Sequence, residues 1–164
     1  MAATREPLVI KEYDSTSAVA VTLSDVRRHA DAVTVFKVRL RSEDLTAESV
    51  VESIDGDEGY RPEPAASSTP GMTVHDAVRL STFLRALAQT PIPWIGPHGW
   101  HSLDGDLTVD AICDSTGRAT LVIGLEPRPW DPQWHASVRL HYALGDLERI
   151  GRVIERWFDD AMHG

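Results

Sequence analysis

The chain has 164 residues and a formal net charge of −9 at pH 7, and 42% of its residues are hydrophobic. This is the composition of a globular protein, and the charge opposes binding to nucleic acid or anionic membranes because no basic patch offsets it. The one cysteine, Cys113, excludes an internal disulfide and a cysteine-based zinc site. No apolar stretch is long enough for a signal peptide or a membrane span, so we expect a cytoplasmic protein.

Four strands are predicted in the first 54 residues. Apolar and basic side chains alternate over residues 33–41, which is the pattern of a strand with one buried face. Further strands are predicted over residues 8–13, 17–23 and 46–54, the last because of its β-branched residues.

Residues 55–72 interrupt this pattern with prolines, glycines, acidic residues and small residues. They predict a flexible acidic loop within a single domain that spans residues 1–164. A connection of this length is either functional or an insertion.

Two amphipathic helices are predicted in the rest of the chain. The first covers residues 74–89, with Thr73 as its N-cap, and ends before Pro91. The second covers residues 147–160, with Asp146 as its N-cap.

Three strands lie between these helices. Residues 106–113 and 118–126 form a hairpin around the turn Asp114–Gly117, and residues 134–144 form a strand whose inward row begins at Trp134. Strands and helices therefore occur in separate runs. This order predicts an α+β fold, with an antiparallel sheet of about seven strands and two main helices on one face.

The second half of the chain also has a recognisable order of features over residues 74–158. An apolar helix, a tryptophan-containing loop, a hairpin that opens with Gly-Asp-Leu, a tryptophan-led strand and a leucine-rich helix follow one another. This order resembles an actinobacterial domain family of unknown function. The matching positions are Phe83, Leu84, Leu87, Trp100, Asp106, Leu107, Gly117, Trp134 and Leu147. The resemblance implies the fold alone, although small domains of this kind are often immunity or accessory proteins.

Residues 91–106, PIPWIGPHGWHSLDGD, allow two interpretations. In the first, Trp94 and Trp100 form a rigid plug that closes the core, since a buried tryptophan removes about 150–250 Å² from water. In the second, the stretch is a pocket wall in which His98 and His101 hold a metal with a nearby aspartate. The ligand pattern is loose, so we favour the plug and predict no metal or cofactor.

Residues 126–135, EPRPWDPQWH, allow a similar choice. Glu126 and His135 could act as an acid–base pair in a cleft. Alternatively, the segment is a rigid connection in which Trp130 and Trp134 pack on a helix, which we favour because no third orienting group is evident. Arg139 follows on the polar face of the next strand.

No nucleophile, nucleotide-binding or metal motif is present, so the leading prediction is a non-catalytic binding protein of the immunity or accessory type. Its acidic surface and the 55–72 loop would engage a basic partner protein. The alternative is a small-ligand or metal-binding protein, or an enzyme, with a pocket between loops 91–106 and 126–135. The residues predicted to bind are Trp94, His98, Trp100, His101, Glu126, Trp130, His135 and Arg139. The chain would be a monomer, or a homodimer formed through a sheet edge.

Overall fold

The computed structural model describes residues 5–12, 16–30, 33–54, 56–60, 77–90, 92, 94 and 98–163. Its elements, in chain order, are β1 Leu8–Lys11, β2 Ala20–Ala30, β3 Val33–Arg41, β4 Thr46–Ile54, β5 Glu58–Tyr60, β6 Ala77–Arg79, α1 Leu80–Ala88, β7 His98–His101, β8 Leu107–Cys113, β9 Arg118–Leu125, β10 Ala136–Ala143 and α2 Leu144–His163. Most of the predicted 55–72 loop lies outside the described residues, and within it Glu58–Tyr60 form β5, so the prediction of a loop is wrong there.

The strands form one antiparallel sheet in the order β1-β2-β3-β4-β5-β7-β8-β9-β10, and β6 pairs with β5 beside this path. The predicted α+β class is confirmed. In the described residues the sheet has ten strands rather than about seven. The additional strands β5, β6 and β7 have three or four residues each, which is too short for alternation to reveal them.

The two halves of the sheet, β1–β4 and β7–β10, fold towards each other with their apolar faces inward. Cα atoms of β3 and β10, and of β4 and β9, approach within 8 Å. The helices α1 and α2 pack against each other and against the inner face, as predicted. Apolar side chains from both halves and both helices meet around a cavity of about 20 Å³. The core is therefore built from both halves of the described chain.

The hairpin between β8 and β9 forms where the sequence predicts it. The Asp114 carboxylate accepts hydrogen bonds from the Thr116 N–H at 2.8 Å and the Arg118 N–H at 3.1 Å. A further bond from the Thr116 hydroxyl lowers the pKa of Asp114. Gly117 supplies the left-handed conformation that closes the turn, with φ of +80°.

Both predicted helix starts are wrong. Helix α1 begins at Leu80 rather than at 74, because residues 77–79 pair with β5 as a strand. The predicted N-cap Thr73 lies outside the described residues. Helix α2 begins at Leu144, so that Asp146 lies in its first turn instead of capping it.

The start of α1 is capped from a distant part of the chain. Asp57, just before β5, accepts the Ser81 N–H on its carboxylate at 2.7 Å and the Leu80 N–H on its backbone carbonyl at 3.0 Å. These bonds satisfy two N–H groups that a helix start leaves without partners. Asp57 is buried, and burial raises the pKa of its carboxyl.

The N-terminal segment is fastened to the other end of the chain. The indole N–H of Trp157, in α2, donates to the backbone carbonyl of Glu6 at 3.1 Å. Arg5 forms an ion pair with Asp160 at 2.8 Å. These contacts hold β1 beside α2.

Candidate functional site

His98 and His101 lie on opposite faces of β7. His98 is paired with Ala111 and Trp100 with Val109, both of which face the core. His101 is paired with Thr108 on the outer face. Residues three apart in a strand point to opposite sides, so these two imidazoles cannot share a metal ion. The described residues contain no group of three potential metal ligands.

Trp94 and Trp100 belong to the core, with exposed fractions of 7% and 1%. The ring of Trp94 packs edge-to-face on His98, with centroids 5.5 Å apart. Gly59 of β5 lies against Trp100, where a Cβ atom would be 2.5 Å from the indole ring. This burial favours the plug interpretation of residues 91–106 over the pocket wall.

The outer face of β7–β10 carries a polar surface centred on Gly124. The pairings align His101, Thr108, Gly124 and Ser137 across four strands. A Cβ atom at position 124 would lie 2.7 Å from the Thr108 hydroxyl oxygen and 3.3 Å from Cε1 of His135. The missing side chain therefore leaves room for the imidazole to lie against the sheet.

Glu126 and His135 come together at the margin of this surface. Nδ1 of His135 is 3.5 Å from the Glu126 carboxylate, and both side chains are in contact with solvent. General acid–base catalysis needs a pair held in a partly desolvated cleft. The position of this pair therefore favours a surface interaction over the acid–base interpretation.

The segment Glu126–His135, called the tryptophan turn below, rests on the turn formed by residues 102–106. The Glu126 N–H donates to the Asp106 carbonyl at 2.9 Å. The Ser102 hydroxyl donates to the Asp106 carboxylate at 2.6 Å and accepts the Leu107 N–H at 3.0 Å. Ser102 and Asp106 are buried, and burial raises the pKa of Asp106. The first residue of the tryptophan turn is therefore held on a buried, hydrogen-bonded turn.

Trp130 stands at the tip of the tryptophan turn. The Asp131 N–H donates to the Arg128 carbonyl at 2.8 Å, which makes Pro129 and Trp130 the central residues of a β-turn. Arg128 adopts the left-handed conformation, with φ of +56°, which is rare for a residue other than glycine. The exposed fraction of Trp130 is 71%.

The predicted packing of Trp130 and Trp134 is wrong. Trp134 lies before β10, which begins at Ala136, and 39% of its surface is exposed. The inward row therefore starts at Ala136, and neither indole is in the core. Trp94, Trp100 and Trp157 are buried, so the two exposed tryptophans both lie in one short segment. Exposed, rigid tryptophans are typical anchors of protein interfaces.

Sequence reasoning did not identify Arg128 and Pro129 as the residues that shape this turn. The available signal was the spacing of prolines in Arg-Pro-Trp-Asp-Pro, since proline favours the first central position of a β-turn. Arg139 lies on the outer face of β10, paired with Val122. The structure thus brings Glu126, His135 and Arg139 to the outer side of the sheet, next to the turn that carries Trp130.

Residues 60–161 match the model of a family of unknown function, DUF6228. The chain belongs to DUF6228. The resemblance to a family of unknown function is confirmed, while its actinobacterial origin stays a prediction. The DUF6228 match contains all eight residues predicted to bind and leaves β1–β4 outside. No curated protein and no solved structure matches the chain.

In the part of the chain that the structure describes, no helix is long and apolar enough to cross a membrane.

Proposed function

We propose that this protein binds a partner protein through the tryptophan turn and the adjoining outer face of β7–β10. The observation that carries the proposal is Trp130, which stands exposed at the tip of a hydrogen-bonded turn. A left-handed residue other than glycine costs about 1 kcal/mol or more. Trp130 contributes little to the core, so core packing does not account for the strained conformation of Arg128. Binding of a partner to Trp130 would account for it.

The charges around the tryptophan turn favour a basic partner. Four carboxylates lie in the turn or beside it on exposed or half-exposed positions: Asp104, Asp110, Glu126 and Asp131. Three arginines, Arg128, Arg139 and Arg118, lie on the same surface, so these seven side chains carry a net charge of −1. Indole rings also attract cationic side chains through their faces. A partner with exposed lysines or arginines therefore complements both the charge and the aromatic character of this surface.

This proposal keeps the predicted basic partner and moves its binding site from the 55–72 loop to the tryptophan turn. A cytoplasmic protein of the immunity or accessory type would need one such surface and no catalytic centre. The alternative pocket loses its support, because His98 and Trp100 lie on the inner face of β7 and Trp94 is buried beside His98. His101, Glu126 and His135 lie on the outer side, so the eight residues do not line one pocket.

Affinity capture from the native host tests the proposal with three tagged proteins. These are the wild type, the double variant Trp130→Ala/Trp134→Ala, and the control Val9→Ala/Val50→Ala, which trims exposed side chains from the other half of the sheet. We expect one basic partner at near-stoichiometric yield with the wild type and the control. Its yield should fall at least tenfold with the tryptophan variant. A partner that the tryptophan variant retains, or the absence of any protein that distinguishes the variants, contradicts the proposal.

Fluorine NMR on protein labelled with 5-fluorotryptophan locates the interface directly. The chain has five tryptophans. Adding the purified partner should shift the signals of Trp130 and Trp134 and leave those of Trp94, Trp100 and Trp157 in place. If only the signals of the three buried tryptophans shifted, the interface would lie away from the tryptophan turn and the proposal would be contradicted.

A further inference from the structure

The two outer strands of the sheet differ in how well they are protected against pairing with another chain. β1 has four residues, follows Pro7 and contains Lys11, all of which discourage strand addition. β10 has eight residues and pairs with β9 without a bulge. It contains neither proline nor lysine. Within the described residues, β10 pairs with β9 on one side and with no strand on the other.

The direction of the backbone N–H groups along β10 follows from one contact. The His141 N–H donates to the carboxylate of Glu12 at 2.8 Å, which shows that it points away from β9. Alternate residues of an antiparallel strand point their N–H groups to the same side. The N–H groups of Ser137 and Arg139 therefore also point away from β9. The Glu12 oxygen occupies the position that the carbonyl of an added strand would take.

We infer that β10 accepts an extended segment of the partner protein as an additional antiparallel strand, with a carboxylate of that segment facing Arg139. This inference rests on the proposed function. The tryptophan turn leads directly into β10, so that an anchor and a pairing edge form one continuous surface. Backbone hydrogen bonds would supply affinity along the strand, and the tryptophans would fix its register.

Charge decides between a partner segment and a second copy of this chain. Arg139 forms no ion pair with the described residues, and its side chain is exposed. Antiparallel pairing of two copies of β10 would bring Arg139 and His141 of both copies to the same face. Like charges opposite each other destabilise a strand pair. A carboxylate on the added strand would instead form a cross-strand ion pair with Arg139.

Peptide selection tests the inference even before the partner protein has been identified. Phage-displayed random twelve-residue peptides are selected on the full-length wild-type protein, and the enriched peptides are synthesised. We expect them to combine an aspartate or glutamate with lysines or arginines, and to bind Arg139→Pro at least tenfold more weakly than the wild type. Proline removes an outward N–H and blocks an added strand, but leaves the bonds to β9 in place. Arg139→Gln keeps the edge and should weaken binding only about two- to fivefold.

Hydrogen exchange on the wild type gives a second measurement that does not depend on the folding of a variant. Bound peptide should slow the exchange of the Ser137 and Arg139 amides at least tenfold. The inference is overturned if the peptides bind Arg139→Pro as tightly as the wild type, if none prefers the wild type, or if these amides stay unprotected. Loss of host-partner capture in the tryptophan variant but not in Arg139→Pro would leave the proposed function standing and refute strand addition. Retention in both would refute the proposed function.

Discussion

Gly59 marks the closest approach of β5 to the Trp100 ring. A Cβ atom there would lie 2.5 Å from the ring and overlap the backbone oxygen of His101, which cannot rotate away. We expect Gly59→Ala to lower the free energy of unfolding by about 3 kcal/mol, at the upper end of the usual cost of overpacking. Urea unfolding at neutral pH measures this change.

Gly145 provides the matched control for this substitution. It lies in the first turn of α2, and a Cβ atom at this position meets nothing within 4 Å. Alanine favours helix over glycine by roughly 0.8–1 kcal/mol in a helix interior. Gly145→Ala should therefore stabilise the protein slightly. A similar loss from both substitutions would show that the close approach at Gly59 is not the cause.

Asp57 gives the protein a pH-dependent stability of defined sign. Burial raises the pKa of this carboxyl, so the folded state holds the proton more tightly than the unfolded state. Its contribution to stability is therefore greatest below the ordinary pKa of about 4 and falls as pH rises through the raised value. Asp57→Asn removes this titration and keeps an oxygen that can accept the Ser81 N–H. We expect the variant to gain stability relative to the wild type as pH rises from 4 to 7.

The control for Asp57 is removal of the cap itself. Asp57→Ala leaves the Ser81 N–H without its acceptor and also lacks the titration, so it should be less stable than Asp57→Asn by about 1–2 kcal/mol at every pH. Urea unfolding of all three proteins at several pH values separates the two effects. A difference between the wild type and Asp57→Asn that stays constant with pH would contradict the assigned titration.

At the level of secondary-structure elements, strands with local alternation are the predictable ones. β3 appears at the predicted bounds, because its basic and apolar residues alternate along the whole strand. The hairpin between β8 and β9 is predictable because Asp114 and Gly117 determine the turn through contacts only a few residues apart. Both features depend on information that lies within the segment itself.

The elements that were predicted wrongly depend on contacts between distant segments. Helix α1 starts late because residues 77–79 pair with β5 and because Asp57 supplies its cap. His98 and His101 lie on a strand because residues 98–101 pair with β8, although glycine and proline around them favour a loop. Trp134 fits the alternation of β10 but precedes the first pairing with β9. Alternation shows which face a side chain would take, but does not show where pairing begins.

The tryptophan turn was identified as a candidate segment, but its orientation was not predictable. Hydrophobicity assigns Trp130 to the core, whereas the turn at Arg128–Asp131 directs it to solvent. We expect Trp130→Ser to change the free energy of unfolding by less than about 0.5 kcal/mol, as for other exposed positions. Trp100→Ala should cost about 3–5 kcal/mol, since it empties a fully buried site. Calorimetric or urea unfolding of the two variants that gives equal losses would show that Trp130 is structural.

For the molecule as a whole, the apolar core extends beyond the residues that match the family. Five core residues from β2 and β3 are at most 2% exposed, and all lie before residue 60: Val21, Leu23, Phe36, Val38 and Leu40. Phe36 packs edge-to-face on Phe158 of α2, with ring centroids 5.1 Å apart. The second half of the chain therefore covers its apolar surface with side chains from the first half.

This shared core leads us to propose that the chain folds as a single domain, which separated fragments can test. Without β1–β4, the inner faces of β8–β10 and both helices would be exposed to water, and burial of that surface is the main force that stabilises the fold. We expect a fragment of residues 61–164 to show no cooperative thermal transition and a poorly dispersed ¹H–¹⁵N NMR spectrum. Addition of a fragment of residues 1–60 should restore both, since the strands can pair in trans. A fragment 61–164 that unfolds cooperatively on its own would show that the family match is an independent domain and that β1–β4 is an addition to it.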